Sequence, residues 1–135
     1  MITMNPYLNF AGNSREAMTF YHGIFGGDLQ ISTFADFGMT DMPADGTMHA
    51  ALRTPTFSIM ASDAMAGAAD TWKGSRNYIS LMGAAADAET LTSWFHGLAE
   101  GGNVGQALEV QVWGGTYGQL TDKFGIEWMM NIDPA

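Results

Sequence analysis

The sequence predicts an α+β fold made of two tandem βαβββ modules. Three observations lead there. A helical segment closed by paired glycines occurs twice, as Phe20-Tyr-His-Gly-Ile-Phe-Gly-Gly27 and, with one inserted residue, as Trp94-Phe-His-Gly-Leu-Ala-Glu-Gly-Gly102. The run from Trp113 to Asn131 has the layout of Met48 to Ser62, with Leu52 over Leu120 and Met60 over Met129. Tyr7-Leu-Asn-Phe lies over Tyr78-Ile-Ser-Leu in the same scheme. Self-similarity of this kind marks a duplicated supersecondary unit. Apolar residues make up 47% of the 135, enough for one shared core. The expected organisation is module 1 over residues 1–63, a linker over 64–75 and module 2 over 76–135.

In module 1 a first strand is expected over residues 3–10, entered irregularly at Pro6. Asn13 stands as a helix cap, with Glu16 three residues on in capping-box position. Ala17, Phe20, Tyr21 and Ile24 follow at helical spacing, and Gly26-Gly27 ends the helix. Leu29 to Phe34 reads as a strand, and the Asp-, Gly- and Pro-containing stretch 35–46 as a loop. Met48–Arg53 and Phe57–Ser62 form a hairpin turning at Thr54-Pro-Thr. The small-residue stretch that follows is a connection, and its place between modules also makes it a candidate lid.

Module 2 repeats the order. A strand spans residues 77–82, and Asp87 precedes a helix with apolar residues Leu91, Trp94, Phe95 and Leu98. A strand lies within Val104–Trp113. The closing hairpin turns at Asp122-Lys123 and Gly125 and ends in the apolar strand Ile126–Asn131. Asp63 and Asp122 read as turn residues.

Five Lys and Arg against fourteen Asp and Glu give a net charge of −9, which repels phosphate backbones and argues against nucleic-acid binding. There is no cysteine, hence no disulfide, thiolate metal site or Cys nucleophile. No signal peptide or bilayer-length apolar run is visible, so a cytoplasmic location away from membranes is expected.

Several stretches together resemble one family. They are Pro6-Tyr-Leu-Asn-Phe-Ala-Gly-Asn13 with Glu16-Ala17, Met48-His-Ala50, Met60-Ala-Ser-Asp63, Gly101-Gly102, Trp113, Tyr117-Gly118, and Thr121-Asp-Lys-Phe-Gly-Ile-Glu-Trp-Met129. The chain resembles the vicinal oxygen chelate superfamily of glyoxalases, fosfomycin- and bleomycin-resistance proteins and extradiol dioxygenases. Within it, the chain resembles the PhnB-like branch, also labelled demethylubiquinone-methyltransferase-like. The resemblance implies two curved mixed sheets facing one another around a cleft, helices outside, and a homodimer. The methyltransferase label finds no support, since no strand leads into a glycine-rich turn followed by a ribose-binding acid.

The metal-dependent members of that superfamily hold a divalent ion with His, Glu or Gln. Here the corresponding inward positions are Asn9, Met60, Ser80 and Met129, with Glu127 two residues from Met129 on the same strand face. Two thioethers, an amide and a hydroxyl are a poor donor set for such an ion, so no cofactor is expected; a divalent metal held by non-standard ligands is the alternative. His49 lies on a strand and is the candidate general base or oxyanion donor, against the plainer reading of a satisfied buried histidine. By the repeat it corresponds to Tyr117. His22 and His96 sit near the two helix ends, where the helix dipole favours imidazolium. Tyr7, Asn9, Arg53, Trp113, Tyr117, Glu127 and Met129 complete the candidate ligand set: aromatic surface, an anion-holding guanidinium and polar tips. Strand aromatics and the methionines also serve as core.

Two functions remain open at this point. One is a small-molecule binding protein that holds an apolar or aromatic ligand without metal. The other is a lyase, isomerase or dioxygenase-like enzyme that uses a metal on non-standard ligands or His49 as a base. A purely structural dimer has no positive support.

Overall fold

A computed structural model describes residues 3–63 and 77–135. The linker and lid expected over 64–75 lie outside the described residues. The chain divides into two compact units, Met1–Asp70 and Thr71–Ala135.

The first unit runs β1 (Tyr7–Phe10), α1 (Ser14–Phe25), β2 (Asp28–Thr33), β3 (Thr47–Arg53) and β4 (Ser58–Asp63). Its sheet has the order β1-β4-β3-β2, with β1 parallel to β4 and the other pairs antiparallel. The second unit runs β5 (Ile79–Gly83), α2 (Ala88–Ala99), β6 (Asn103–Val110), β7 (Thr116–Thr121) and β8 (Glu127–Ile132). Its sheet order, β5-β8-β7-β6, is the same arrangement. Both units are therefore βαβββ, as the repeat predicts.

Each sheet has one face under its helix and one open face, because successive strand residues point to opposite sides. In the first unit Phe10, Ala50, Leu52, Ile59 and Ala61 are buried on the side of α1. In the second, Leu120, Trp128, Met130 and Ile132 are buried on the side of α2. Gly118 belongs to that side too: a Cβ there would lie 2.9 Å from the Phe95 ring of α2. Only glycine lets helix and strand approach this closely.

The repeat holds at atomic level. A Cβ on Gly27 would strike the Arg53 carbonyl, and one on Gly102 the Thr121 carbonyl. Leu52 pairs with Ile59 as Leu120 pairs with Trp128. One detail of the expected alignment shifts. Tyr7 pairs with Met60, and Ser80 with Met129, so Tyr7 corresponds to Ser80 and not to Tyr78. Ladder register, which similarity of residue types cannot see, sets this correspondence.

Local expectations also move. Neither Asn13 nor Asp87 makes a side-chain cap hydrogen bond. The buried row of α1 is Ser14, Ala17, Met18, Tyr21 and Phe25, leaving Phe20 and Ile24 half-buried at its margin. Asp63 is no turn residue. It ends β4, is 8% exposed, and its two oxygens accept the Ser14 N–H at 3.0 Å and the Thr47 N–H at 2.9 Å. The carboxylate thus supplies the acceptor that Asn13 does not, at the positive end of the helix dipole, and ties α1 to β3 and β4.

Candidate functional site

Alternation along the strands places Tyr7, Asn9, His49 and Arg53 on the open face of the first unit. Tyr7 and Asn9 pair with Met60 and Ser62 of β4. His49 and Arg53 lie on β3, opposite Ser32 and Asp28 of β2. The phenol of Tyr7 and Nδ1 of His49 are 3.0 Å apart, with ring centroids at 5.7 Å and an interplanar angle of 31°. Because β4 lies between β1 and β3, this hydrogen bond spans the width of a strand. Tyr7 is 48% exposed and His49 is half-buried, so the pair stands open to solvent instead of sitting in the core.

Arg53 shares that face and does not join the pair. Four steps along the strand separate its Cα from that of His49 by about 13 Å. Its cross-strand neighbour is Asp28, so it stands at the far end of the ladder and not as a second hand on an anion held by His49. Gln30 and Ser32 also line this face, pairing with Ala51 and His49. They escape a reading of the sequence because β2 offers no motif; the period of two, anchored on His49, is the signal that locates them.

On the open face of the second unit stand Tyr117, Glu127 and Met129. Tyr117 donates its O–H to Oε1 of Gln119 at 3.0 Å, and Trp113 packs edge-on against it with centroids 6.1 Å apart. Trp113 lies in the turn between β6 and β7 and is 59% exposed. Its indole folds back over Gly115, where a Cβ would come within 2.6 Å of Nε1. Met129 pairs with Gln119 and Ser80, and Glu127 with Thr121 at the other end of the ladder. Gln119 and Asn131, the partners of Met129 and Tyr117 in register, were not evident as site residues from sequence.

The remaining histidines have local work. His22 donates from Nε2 to the Gly27 carbonyl at 3.0 Å, closing the turn after α1. His96 packs edge-on against Phe95. Among the methionines, Met130 is core, Met60 and Met129 are half-buried on the open faces, and Met82 is 70% exposed.

The donor chemistry does not fit the metal site of the superfamily. Among the described residues no three His, Asp or Glu side chains converge. Of the expected positions Ser80 and Met129 share a rung, while Met60 pairs with Tyr7 and Asn9 with Ser62, so the groups present are hydroxyl, thioether and amide, a poor donor set for a hard divalent ion. The described residues contain no helix long and apolar enough to cross a membrane.

Two βαβββ units in this arrangement are the fold of the glyoxalase/bleomycin resistance protein/dioxygenase proteins. A family member of that description from Burkholderia phytofirmans superposes with a TM-score of 0.60 at 16% identity, over 93% of this chain and 95% of its own. The sequence profile of the 3-demethylubiquinone-9 3-methyltransferase family matches residues 3–131, and the chain belongs to that family. Protein YjdN of Escherichia coli is 30% identical over 96% of this chain and 94% of its own length. Protein PA1353 of Pseudomonas aeruginosa is 37% identical, covers both chains fully and has a TM-score of 0.77.

Proposed function

We propose that this chain is a small-molecule binding protein of the glyoxalase and bleomycin-resistance type. It holds an apolar or aromatic ligand against the open sheet faces, in the manner of the cleft that the resemblance implies, and without the metal of the metal-dependent members. The observation that supports this reading most is the Tyr7–His49 pair. It is a hydrogen-bonded polar couple on an exposed face, flanked by half-buried thioether, where a structural histidine would be enclosed. Trp113 and Tyr117 add aromatic surface on the second unit. A homodimer working in the cytoplasm is part of the same proposal.

The test is a thermal-shift screen of aromatic and apolar compounds against the wild type and His49→Ala. A ligand that raises the midpoint of the wild type and not of the variant supports binding at this face. If no compound stabilises the wild type, the reading falls. Elemental analysis after dialysis addresses the other reading, a metal-assisted enzyme. Retained stoichiometric metal would favour that reading over ours.

A further inference from the structure

We propose that Tyr7 is a positioning residue that holds neutral His49 as an Nε2–H donor, so that the face recognises the oxygen of a carbonyl or carboxylate. This rests on the ligand-binding reading given above and names the chemistry of the ligand end that His49 meets. The 3.0 Å contact joins Oη to Nδ1, and only one of the two atoms carries the shared proton. A phenol O–H, with an ordinary pKa of about 10, is a far stronger donor than a neutral imidazole N–H. The unprotonated ring nitrogen of imidazole is a far stronger acceptor than a phenol oxygen, whose lone pairs are drawn into its ring. The phenol therefore donates to Nδ1. A neutral imidazole carries a single N–H, which must then sit on Nε2, on the ring edge directed away from Tyr7. In this state Nε2 has no lone pair for a substrate proton, so the resting histidine is a donor and not a base.

The second unit supports the same logic independently. Tyr117 occupies on β7 the register that His49 occupies on β3, three residues before Leu120 and Leu52. Its O–H too is donated to a neighbour on the same face, Oε1 of Gln119 at 3.0 Å. That bond occupies Oε1 and leaves the NH2 as the donor end of the carboxamide. In both couples a phenol proton is used internally and an N–H donor is presented. A ligand suited to such faces brings acceptors: an aromatic acid or a ketone fits, and an amine does not.

The test uses the full chain labelled with 15N-histidine, at mildly alkaline pH, with the His49 signals assigned by their loss in His49→Gln. Long-range proton–nitrogen correlation should show His49 as the Nε2–H tautomer in the wild type and as a tautomer mixture in Tyr7→Phe. An Nδ1–H tautomer in the wild type overturns the proposal, and so does a pattern that Tyr7→Phe leaves unchanged. The wild-type measurement needs no variant, so a misfolded Tyr7→Phe cannot shield the idea. Benzoate and benzylamine are then titrated in. Benzoate should move the His49 Nε2–H signal and bind about two-fold more weakly to Tyr7→Phe, where only about half the histidine is in the donor tautomer; benzylamine should leave the signal in place. Equal response to both overturns the acceptor class. If benzoate moves nothing while the tautomer is as stated, acceptor recognition at this face is overturned, the tautomer assignment stands, and the ligand-binding reading is decided by the thermal-shift screen.

Discussion

The indole Nε1–H of Trp128 donates to Oδ2 of Asp122 at 2.9 Å, and both residues are almost fully buried. The other carboxylate oxygen accepts the Phe124 N–H at 2.8 Å and the Ile126 N–H at 3.1 Å. One side chain therefore closes the β7–β8 turn and satisfies the largest residue of its core. Thr54 holds the equivalent place in the first unit, where its hydroxyl accepts the Phe57 N–H at 3.0 Å. Ile59 stands there in the place of Trp128 and has no proton to give, so a hydroxyl suffices.

Asp122→Ala should lower unfolding stability by about 3 kcal/mol, because it leaves a buried indole N–H and two turn amides without this acceptor. Asp122→Asn keeps one carbonyl oxygen and should cost less. Urea unfolding of the two variants checks the order. Equal losses would show that the carboxylate is not what stabilises the turn.

Asp63→Ala should cost a similar amount, about 3 kcal/mol, through the Ser14 and Thr47 amides it strands. The effect should appear in hydrogen exchange as lost protection at those two amides and at the first turn of α1. Unchanged protection there would remove Asp63 from the role of helix cap.

Gly118→Ala should destabilise by about 1–3 kcal/mol through overpacking. The new Cβ would meet the Phe95 ring at 2.9 Å and the Leu108 Cα at 3.0 Å, and the ring is enclosed while the Cα is backbone. Gly23 offers a control, since a Cβ there meets nothing within 4 Å. Gly23→Ala should be neutral or stabilising, as alanine is the better helix former. A thermal melt that ranks the two the other way contradicts this packing.

Asp36 should titrate below the ordinary carboxylate range. The Thr33 N–H donates to its Oδ2 at 2.8 Å and the Thr33 side chain adds a second hydrogen bond to the carboxylate, and bonds to the charged form hold the proton off. A pKa depressed in the folded state means that the contribution is complete above the unfolded value of about 3.9. It is lost as pH falls through the folded value. Thr33→Ala should raise the Asp36 pKa toward the ordinary value, read by carboxylate NMR titration. An unchanged titration would assign the whole shift to the Thr33 backbone N–H, which the variant keeps.

The sequence by itself determined the βαβββ order and its duplication, because paired glycines after each helix and alternating strand hydrophobicity are local chemistry. It also placed His49 and Arg53 on one face of their strand, since period-two alternation carries over from residues to geometry. Only the tertiary structure decided who meets whom on that face. Tyr7 and His49 are 42 positions apart, and no local rule says that β4 enters between their strands and lets them bond across it. The β2–β3 register likewise decides that Arg53 lies opposite Asp28. Strand order and register depend on how all the elements bury apolar surface at once. Hydrogen bonds such as Asp63 to the start of α1 form only after that burial has brought distant segments together.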